Sequence, residues 1–374
     1  MSSRAVCTQS YMAALRRVAG GGGAGRGRYA TLRGRQPTPP RTSTVAHPIP
    51  PPTVAAASDR WPPAAAGSAV SVGNFDGVHV GHAAIIRRLC DVARRLGVPS
   101  VAFTFDPHPA AVLRPLAAPV PLTTPGRRAA LLRSLGVDAV VVQPTDRGLL
   151  SLSAAGFYDE ILRGRLRARA IVEGSDFRFG ADRAGGIRLL EEFARRDGLT
   201  LEEVPPVLAD GLPVSSSRLR ALIAAGNVRH AACLLTAPYR VTGTVVMGAR
   251  RGATLGFPTA NLAAIATLLP AAGVYAARVV LPGPAADAAP AGLPAAVHIG
   301  PNVTFGETAT SVEVHLIGFH GTLYGATLDV DFLDRLRDTV RFGSVEDLKA
   351  QLAADVARAL EVARAVPVGP RGVA

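Results

Sequence analysis

Gly73-Asn74-Phe75-Asp76-Gly77-Val78-His79-Val80-Gly81-His82 is the stretch on which the reading of this chain turns. The apolar run Ser68–Val72 before it reads as a buried strand. After it, Ile85, Ile86, Leu89, Val92 or Ala93, and Leu96 fall on one helical stripe, with Arg87, Arg88, Asp91, Arg94 and Arg95 opposite. The pattern is strand, glycine-bearing turn, helix N-terminus. Such a turn offers backbone N–H groups and a dipole to an anion. His79 and His82, three apart, place both imidazoles on one face of the first helical turn. Gly81 between them leaves the backbone open to a phosphate.

Outward from this point, about Gly67 to Thr236, strands and helices alternate. Val98–Phe105, Asp138–Gln143, Ala168–Glu173 and Leu199–Val204 read as strands, and Arg127–Leu135, Ala154–Leu166 and Gly186–Arg196 as helices. Alternation predicts a parallel sheet with helices on both faces and a ligand beyond the carboxyl ends of the strands. Three more motifs fall at those ends. Asp106-Pro107-His108-Pro109 ends the second strand. Gly174-Ser175-Asp176-Phe177-Arg178-Phe179-Gly180 follows a later one, where Asp176 could hold a ribose or a metal-bound water, or cap its own loop. Ser215-Ser216-Ser217-Arg218-Leu219-Arg220 opens a helix ending near Gly226. Its hydroxyls serve as N-caps or, with Arg220 one turn on, suit a triphosphate. No Walker pattern is present, because Lys349 is the sole lysine.

After Pro238 the period changes. Tyr239–Val246, Gly273–Leu281, Ala295–Ile299, Ser311–Phe319 and Ala326–Phe332 read as strands between Gly- and Pro-rich turns, which predicts a small antiparallel barrel. Val345–Ala365 reads as one amphipathic helix closing it. In the stretch Gly248 to Asn261, Gly248, Gly252 and Gly256 let backbone approach phosphates. If Thr259-Ala260-Asn261 is extended, Thr259 and Asn261 point the same way, and their oxygens suit Mg²⁺ beside ATP phosphates. On Ser311–Leu316, Val312, Val314 and Leu316 share one face, and Glu313 and His315 the other.

Residues 79–82 carry the HxGH signature of the nucleotidylyltransferase superfamily. The full ten-residue stretch resembles the opening motif of the bacterial riboflavin kinase/FAD synthetase family. Gly248–Asn261 resembles that family's GFPTAN segment, and Ser215–Arg220 resembles ISSTxxR with Ser217 in place of Thr. The resemblance spans about Ser68 to Ala365. It implies a Rossmann-like α/β nucleotidylyltransferase domain (67–236), then a riboflavin-kinase-type antiparallel β-barrel with a C-terminal helix (237–365). Residues 1–66 and 366–374 would be tails. It also implies two reactions, riboflavin to FMN and FMN to FAD, with ATP, riboflavin and FMN as substrates and Mg²⁺ serving both. In that frame His79, His82 and Arg220 face the charge that builds on the phosphoryl oxygens. Gly73, Asn74, Phe75, Gly81, Asp176, Ser216 and Ser217 border the first nucleotide, and Gly248, Gly252, Gly256 and Pro258 the second. Asp106, His108 and Arg337 lie near flavin, and Arg341-Phe342 match a family flap near it. Thr259 and Asn261 hold the metal, and Glu313 accepts the proton of the riboflavin 5′-hydroxyl. The chain departs from the family pattern at Glu173, which adds a charge at the site's edge, at Ser217, and at Val303 within Gly300–Gly306.

The 374 residues carry a formal charge of +13. Residues 1–58 hold eight Arg and no Asp or Glu, so most of the excess sits in a Gly- and Pro-rich start that cannot bury enough apolar surface to order itself. Aromatics are only 5%, which argues against a nucleic-acid-binding protein, the rival suggested by the basic charge. The other rival is a chain retaining one of the two activities. No secretory or membrane-spanning segment is found, and Cys7, Cys90 and Cys233 form no disulfide framework or zinc spacing. A cytoplasmic protein acting on small molecules is expected, with no nucleic-acid or membrane partner. The Arg-rich start also resembles an organelle transit peptide, and homo-oligomerisation is left open by the residues.

Overall fold

The computed structural model describes residues 65–248, 251–281, 292–301 and 310–366. Strands β1 (Ala69–Val72), β2 (Ser100–Asp106), β3 (Ala139–Pro144), β4 (Ala170–Gly174) and β5 (Thr200–Val204) form one parallel sheet in the order β3-β2-β1-β4-β5. Near-continuous Val, Ile, Ala and Phe make β1, most of β2 and β4 fully buried, as a strand covered on both faces requires. The strand order reverses between β1 and β4, so a crevice opens at their carboxyl ends. The quoted motif leaves β1 into this crevice.

Helix α1 (Val80–Leu96) buries Ile86, Leu89, Val92 and Ala93. Leu96, expected on this stripe, is 45% exposed, because Gly97 at φ 64° ends the helix there. Helices α2 (Pro125–Ser134) and α3 (Ile187–Asp197) lie where periodicity put them. The expected helix over 154–166 differs. One α-turn, Ala154–Gly156, gives way to a π-helix, Phe157–Arg165, closed by the Leu166 N–H donating to Ile161 O at 2.9 Å. Its buried positions, Phe157, Tyr158, Ile161 and Leu162, have ordinary α spacing, so periodicity alone cannot reveal the wider turn.

Strands β6 (Tyr239–Val246), β7 (Ala260–Ala263), β8 (Gly273–Val280), β9 (Leu293–Gly300), β10 (Ser311–Leu316) and β11 (Thr327–Arg337) close an antiparallel barrel, ordered β6-β7-β10-β9-β8-β11. Val241, Tyr275, Val297, Val314 and Phe332 fill its interior. Strand β7, four residues long, was expected only conditionally. Strand β11 runs five residues past the expected Phe332, and two register shifts against β8 break the alternation that would have shown it. Helix α6 (Val345–Ala365) sets Ala359, Val362 and Ala363 against Ala276 and Leu333 on the outer wall. Buried Arg278 closes its C-terminus by donating to Ala363 O at 2.7 Å and Val366 O at 2.9 Å.

Helices α4 (Ser216–Ala224) and α5 (Val228–Leu234) join the two halves. Leu219, Ile223, Val228, Ala231 and Leu234 belong to the same apolar cluster as Val241, Tyr275 and Phe332 of the barrel.

Candidate active sites

The crevice between β1 and β4 gathers the first motif set. His79 is the N-cap of α1. The His82 N–H donates to His79 Nδ1 at 3.3 Å, and the His79 N–H donates to His82 Nδ1 at 3.4 Å. Both Nδ1 atoms are therefore acceptors, which leaves each neutral ring with its proton on Nε2. The rings stack, centroids 3.6 Å apart and 17° from parallel, so they present two N–H donors side by side. Burial lowers the His79 pKa to about 4, against a smaller upward pull from Asp76. Burial, then His79 and Arg128, hold His82 well below its ordinary value. Both are neutral at pH 7, and the cations of the site are guanidiniums.

Those cations are fastened by groups that motif reading passed over. Asp76, 3% exposed, accepts from Leu122 N at 2.9 Å, Thr123 N at 3.0 Å and Thr123 Oγ1 at 2.9 Å. It also pairs with Arg220 Nη2 at 2.5 Å, while Arg220 Nε donates to Val120 O at 3.0 Å. Arg128 of α2, 4% exposed, donates through Nη1 to Asn74 O at 2.9 Å, Phe105 O at 3.0 Å and Thr104 Oγ1 at 3.1 Å. Its Nε and Asn74 Oδ1 are buried without a partner among the described residues. Buried orphan atoms at the base of a crevice are the kind a ligand or water satisfies. Nothing in the sequence pattern marked Arg128, one arginine among many.

The remaining crevice residues fall into place around these. Phe75 is buried with its ring edge-on to His82 at 5.2 Å. A Cβ on Gly73 would meet that ring at 3.1 Å. Phe75 at φ 47° and Val78 at φ 39° hold left-handed backbone, costly for a β-branched Val and found where the surroundings over-determine it. Gly81 has a reason beyond phosphate access: a Cβ there would lie 3.0 Å from His79 Nδ1. Asp106 ends β2, and His108 caps the next short helix by accepting from Ala110 N at 3.1 Å. Burial lowers the His108 pKa, followed by the charge of Arg220. Ser216 donates to Asp76 O at 2.8 Å, so its hydroxyl braces the site, whereas Ser217 is exposed on the same first turn. Asp176 is exposed, and a Cβ on Gly174 would come 3.0 Å from its Oδ1.

Glu173 corrects an expectation. It is 2% exposed, and its Oε1 accepts from Val72 N at 2.6 Å where β1 and β4 part. Burial raises its pKa well above the ordinary carboxyl value, opposed by that hydrogen bond. It adds a buried carboxyl whose charged form burial disfavours, not a solvated charge at the site's edge.

On the barrel, one row of directly opposed residues crosses all six strands: Val246, Asn261, Glu313, His298, Val274 and Arg337. Neighbours in such a row share a face. Alternate residues Leu262, Val312, Val314, Val297 and Ile299 point inward, so the row lies on the outer wall. The Thr259 hydroxyl donates to Glu313 Oε2 at 3.4 Å and Ser311 Oγ to Oε1 at 3.3 Å. Gly248 passes so close to Asn261 that a Cβ would collide with its amide at 2.2 Å, and one on Gly252 would strike Phe257 O at 2.3 Å. Gly256 turns at φ 87°, and Pro258 O faces His315 Nδ1 at 2.8 Å. The loop glycines are thus fixed by contacts within the protein as well as by room for phosphate. His298, which sequence reading missed, is half-buried opposite Glu313; burial lowers its pKa, against a smaller upward pull from Glu313. Arg337 forks onto Asp355 of α6 at 2.7 to 3.1 Å, with Phe342 beneath its guanidinium at 5.6 Å. It is held at the end of the row, not free in solvent. Ala249, Arg250 and the Asn302–Gly306 segment, with the Val303 departure, lie outside the described residues.

The FAD synthetase family model matches residues 62–218, and the riboflavin kinase model matches 235–363. The bifunctional riboflavin kinase/FMN adenylyltransferase of Pseudomonas fluorescens is 39% identical over 79% of this chain and 93% of its own length. The chain belongs to the bifunctional riboflavin kinase/FMN adenylyltransferase family. The Escherichia coli K12 member is 34% identical over 79% of this chain and 92% of its own. A crystal structure from Streptococcus pneumoniae, described as a macrolide-efflux protein, superposes with a TM-score of 0.71 at 33% identity, covering 83% of this chain and 97% of that one. No helix among the described residues is long and apolar enough to cross a membrane.

Proposed function

We propose that this riboflavin kinase/FMN adenylyltransferase makes FMN at the barrel wall and FAD in the sheet crevice, one after the other. The observation that carries the reading is the convergence of His79, His82 and the Asp76-clamped Arg220 at the switch point of the sheet. In the crevice a phosphate oxygen of FMN attacks the α-phosphorus of ATP. The bond from that phosphorus to the α–β bridging oxygen breaks, and pyrophosphate leaves. Two Nε2–H donors and one guanidinium face the charge that grows on the phosphoryl oxygens. Held in place before the reaction, they cost no reorganisation when it occurs. No side chain need take a proton, since the attacking phosphate is already ionised.

At the barrel, Glu313 takes the proton of the riboflavin 5′-hydroxyl as that oxygen bonds to the γ-phosphorus and ADP departs. Ser311 and Thr259 hold one carboxylate oxygen each, which aims it. Thr259 and Asn261 supply hard oxygen donors that fit Mg²⁺. Among the described residues no group of three His, Cys, Asp or Glu could cage a metal, so the ion would complete its shell with phosphate and water. Bound Mg²⁺ would neutralise phosphate charge. We assign residues 67–236 to the adenylyltransferase and 237–365 to the kinase, in the cytoplasm and with small-molecule partners.

Product analysis by chromatography tests the reading. Given riboflavin, ATP and Mg²⁺, the wild type should make FAD and His82→Ala should stop at FMN. Wild type that stops at FMN would remove the crevice chemistry from the proposal.

A further inference from the structure

The two halves of the molecule do not merely adjoin. The backbone that carries the crevice residues is tied at two separate places to the start of the barrel.

The first tie is at Val78. Its carbonyl accepts from Thr236 Oγ1 at 2.7 Å and Thr236 N at 3.3 Å. Thr236 is 3% exposed and lies on the linker from α5 to β6. Val78 is the residue with φ 39° immediately before His79, and His79 itself bridges to Leu235 of the same linker. The strained backbone that aims His79 is therefore held from the linker.

The second tie is at the segment Val120–Thr123, which fastens both Arg220, through Val120 O, and Asp76, through Leu122 and Thr123. Pro121 O in its middle accepts from Leu268 N at 2.9 Å. Leu268 belongs to the barrel, between β7 and β8, and its own carbonyl accepts from Tyr239 Oη at 2.5 Å. Tyr239, the first residue of β6, is 2% exposed. Leu122 packs into the barrel's apolar cluster. A continuous line runs from Tyr239 through Leu268, Pro121, Leu122 and Asp76 to the Arg220 guanidinium.

We infer that Thr236 and Tyr239 are positioning residues for adenylyl transfer: the junction with the kinase barrel sets the placement of His79 and Arg220. A misplacement of about 1 Å at a reacting centre can cost ~10²-fold in rate. Each tie holds a group whose role is exerted on the reacting phosphate. Neither tie reaches the row Asn261–Glu313–His298 on the outer wall, so phosphorylation of riboflavin should not depend on them. This inference rests on the roles proposed above for His79 and Arg220.

The test uses the full chain with Thr236→Val, Thr236→Ser, Tyr239→Phe and Arg220→Ala. FAD formation from FMN, its reversal from FAD and pyrophosphate, and FMN formation from riboflavin are each measured. Thr236→Val and Tyr239→Phe should lower kcat for FAD formation and for its reversal by the same factor, about ten- to a hundredfold. The KM for FMN and the kinase rate should stay within about twofold of wild type. Thr236→Ser, which keeps the hydroxyl, should stay near wild type. The kinase rate also reports that the barrel is folded. If Arg220→Ala abolishes FAD formation while Thr236→Val and Tyr239→Phe leave it unchanged, the junction has no positioning role. If the kinase rate falls together with FAD formation, the residues only hold the fold, and the inference again fails. If Arg220→Ala leaves FAD formation intact, the crevice assignment itself is wrong.

Discussion

His79 supplies a direct test of the buried, neutral histidine pair. The ordinary imidazole value is 6.5 and burial takes His79 to about 4. Between these values the unfolded chain binds a proton that the folded chain refuses, so acid favours unfolding. The stabilising contribution is complete above pH 6.5 and is lost as pH falls towards 4. At ~1.36 kcal/mol per pH unit the loss is about 3 kcal/mol. His79→Asn removes the titration but keeps a side-chain oxygen for the His82 N–H, and Asn is a good N-cap. It also removes the stacked ring, so at pH 7.5 the variant should be the less stable by about 1–2 kcal/mol. The measurement is urea unfolding of both proteins from pH 7.5 to 4.5, followed by fluorescence of flavin-free protein. The difference between them should shrink and reverse sign towards pH 4.5, because wild type carries the His79 penalty and the variant does not. His82 and His108 titrate in both proteins, although loss of His79 relieves part of the depression on His82. A difference that stays constant across this range would mean His79 is not held neutral by burial, and the picture of paired Nε2–H donors would fall with it.

Glu173→Gln tests the opposite sign. A carboxyl whose folded value is raised stabilises less as pH rises above its unfolded value. The amide variant should therefore match wild type near pH 4 and melt higher at pH 8, with equal melting at pH 8 refuting a neutral Glu173. Glu313→Gln should lower riboflavin phosphorylation by ~10²–10⁴-fold, while FMN supplied to it still becomes FAD. Retention of phosphorylation would take the base role from Glu313. In Gly81→Ala the new Cβ crowds His79 Nδ1, so FAD formation should fall with kcat more affected than the KM for ATP. A pure rise in that KM would favour phosphate access as the reason for glycine.

What was legible in the sequence follows physical lines. Strand β6 and helix α6 have the very bounds expected, because long runs with one exposed and one buried face state their own period. The motif residues were found because whole segments, Gly73–His82 and Gly248–Asn261 among them, resemble those of a known family. Residues acting through long-range contacts were not legible. Asp76 sits inside the quoted stretch, yet its task depends on Leu122, Thr123 and Arg220, up to 144 positions away. Arg128 and His298 become site residues only when a helix and a strand are placed. Glu173 was seen as a departure, but its raised pKa follows from burial beside Val72, which no local pattern encodes.

The barrel-wall row has a consequence for how such a chain can vary. Each strand contributes one residue, and each residue holds its place only by counting from its neighbour. Deleting one residue within β7, β9 or β10 would turn the strand over and send Asn261, His298 or Glu313 into the apolar interior. Deleting two would keep the face but slide the group by about 7 Å along the wall. Inside the strands of this domain, therefore, the spacing of residues is held as tightly as their identity.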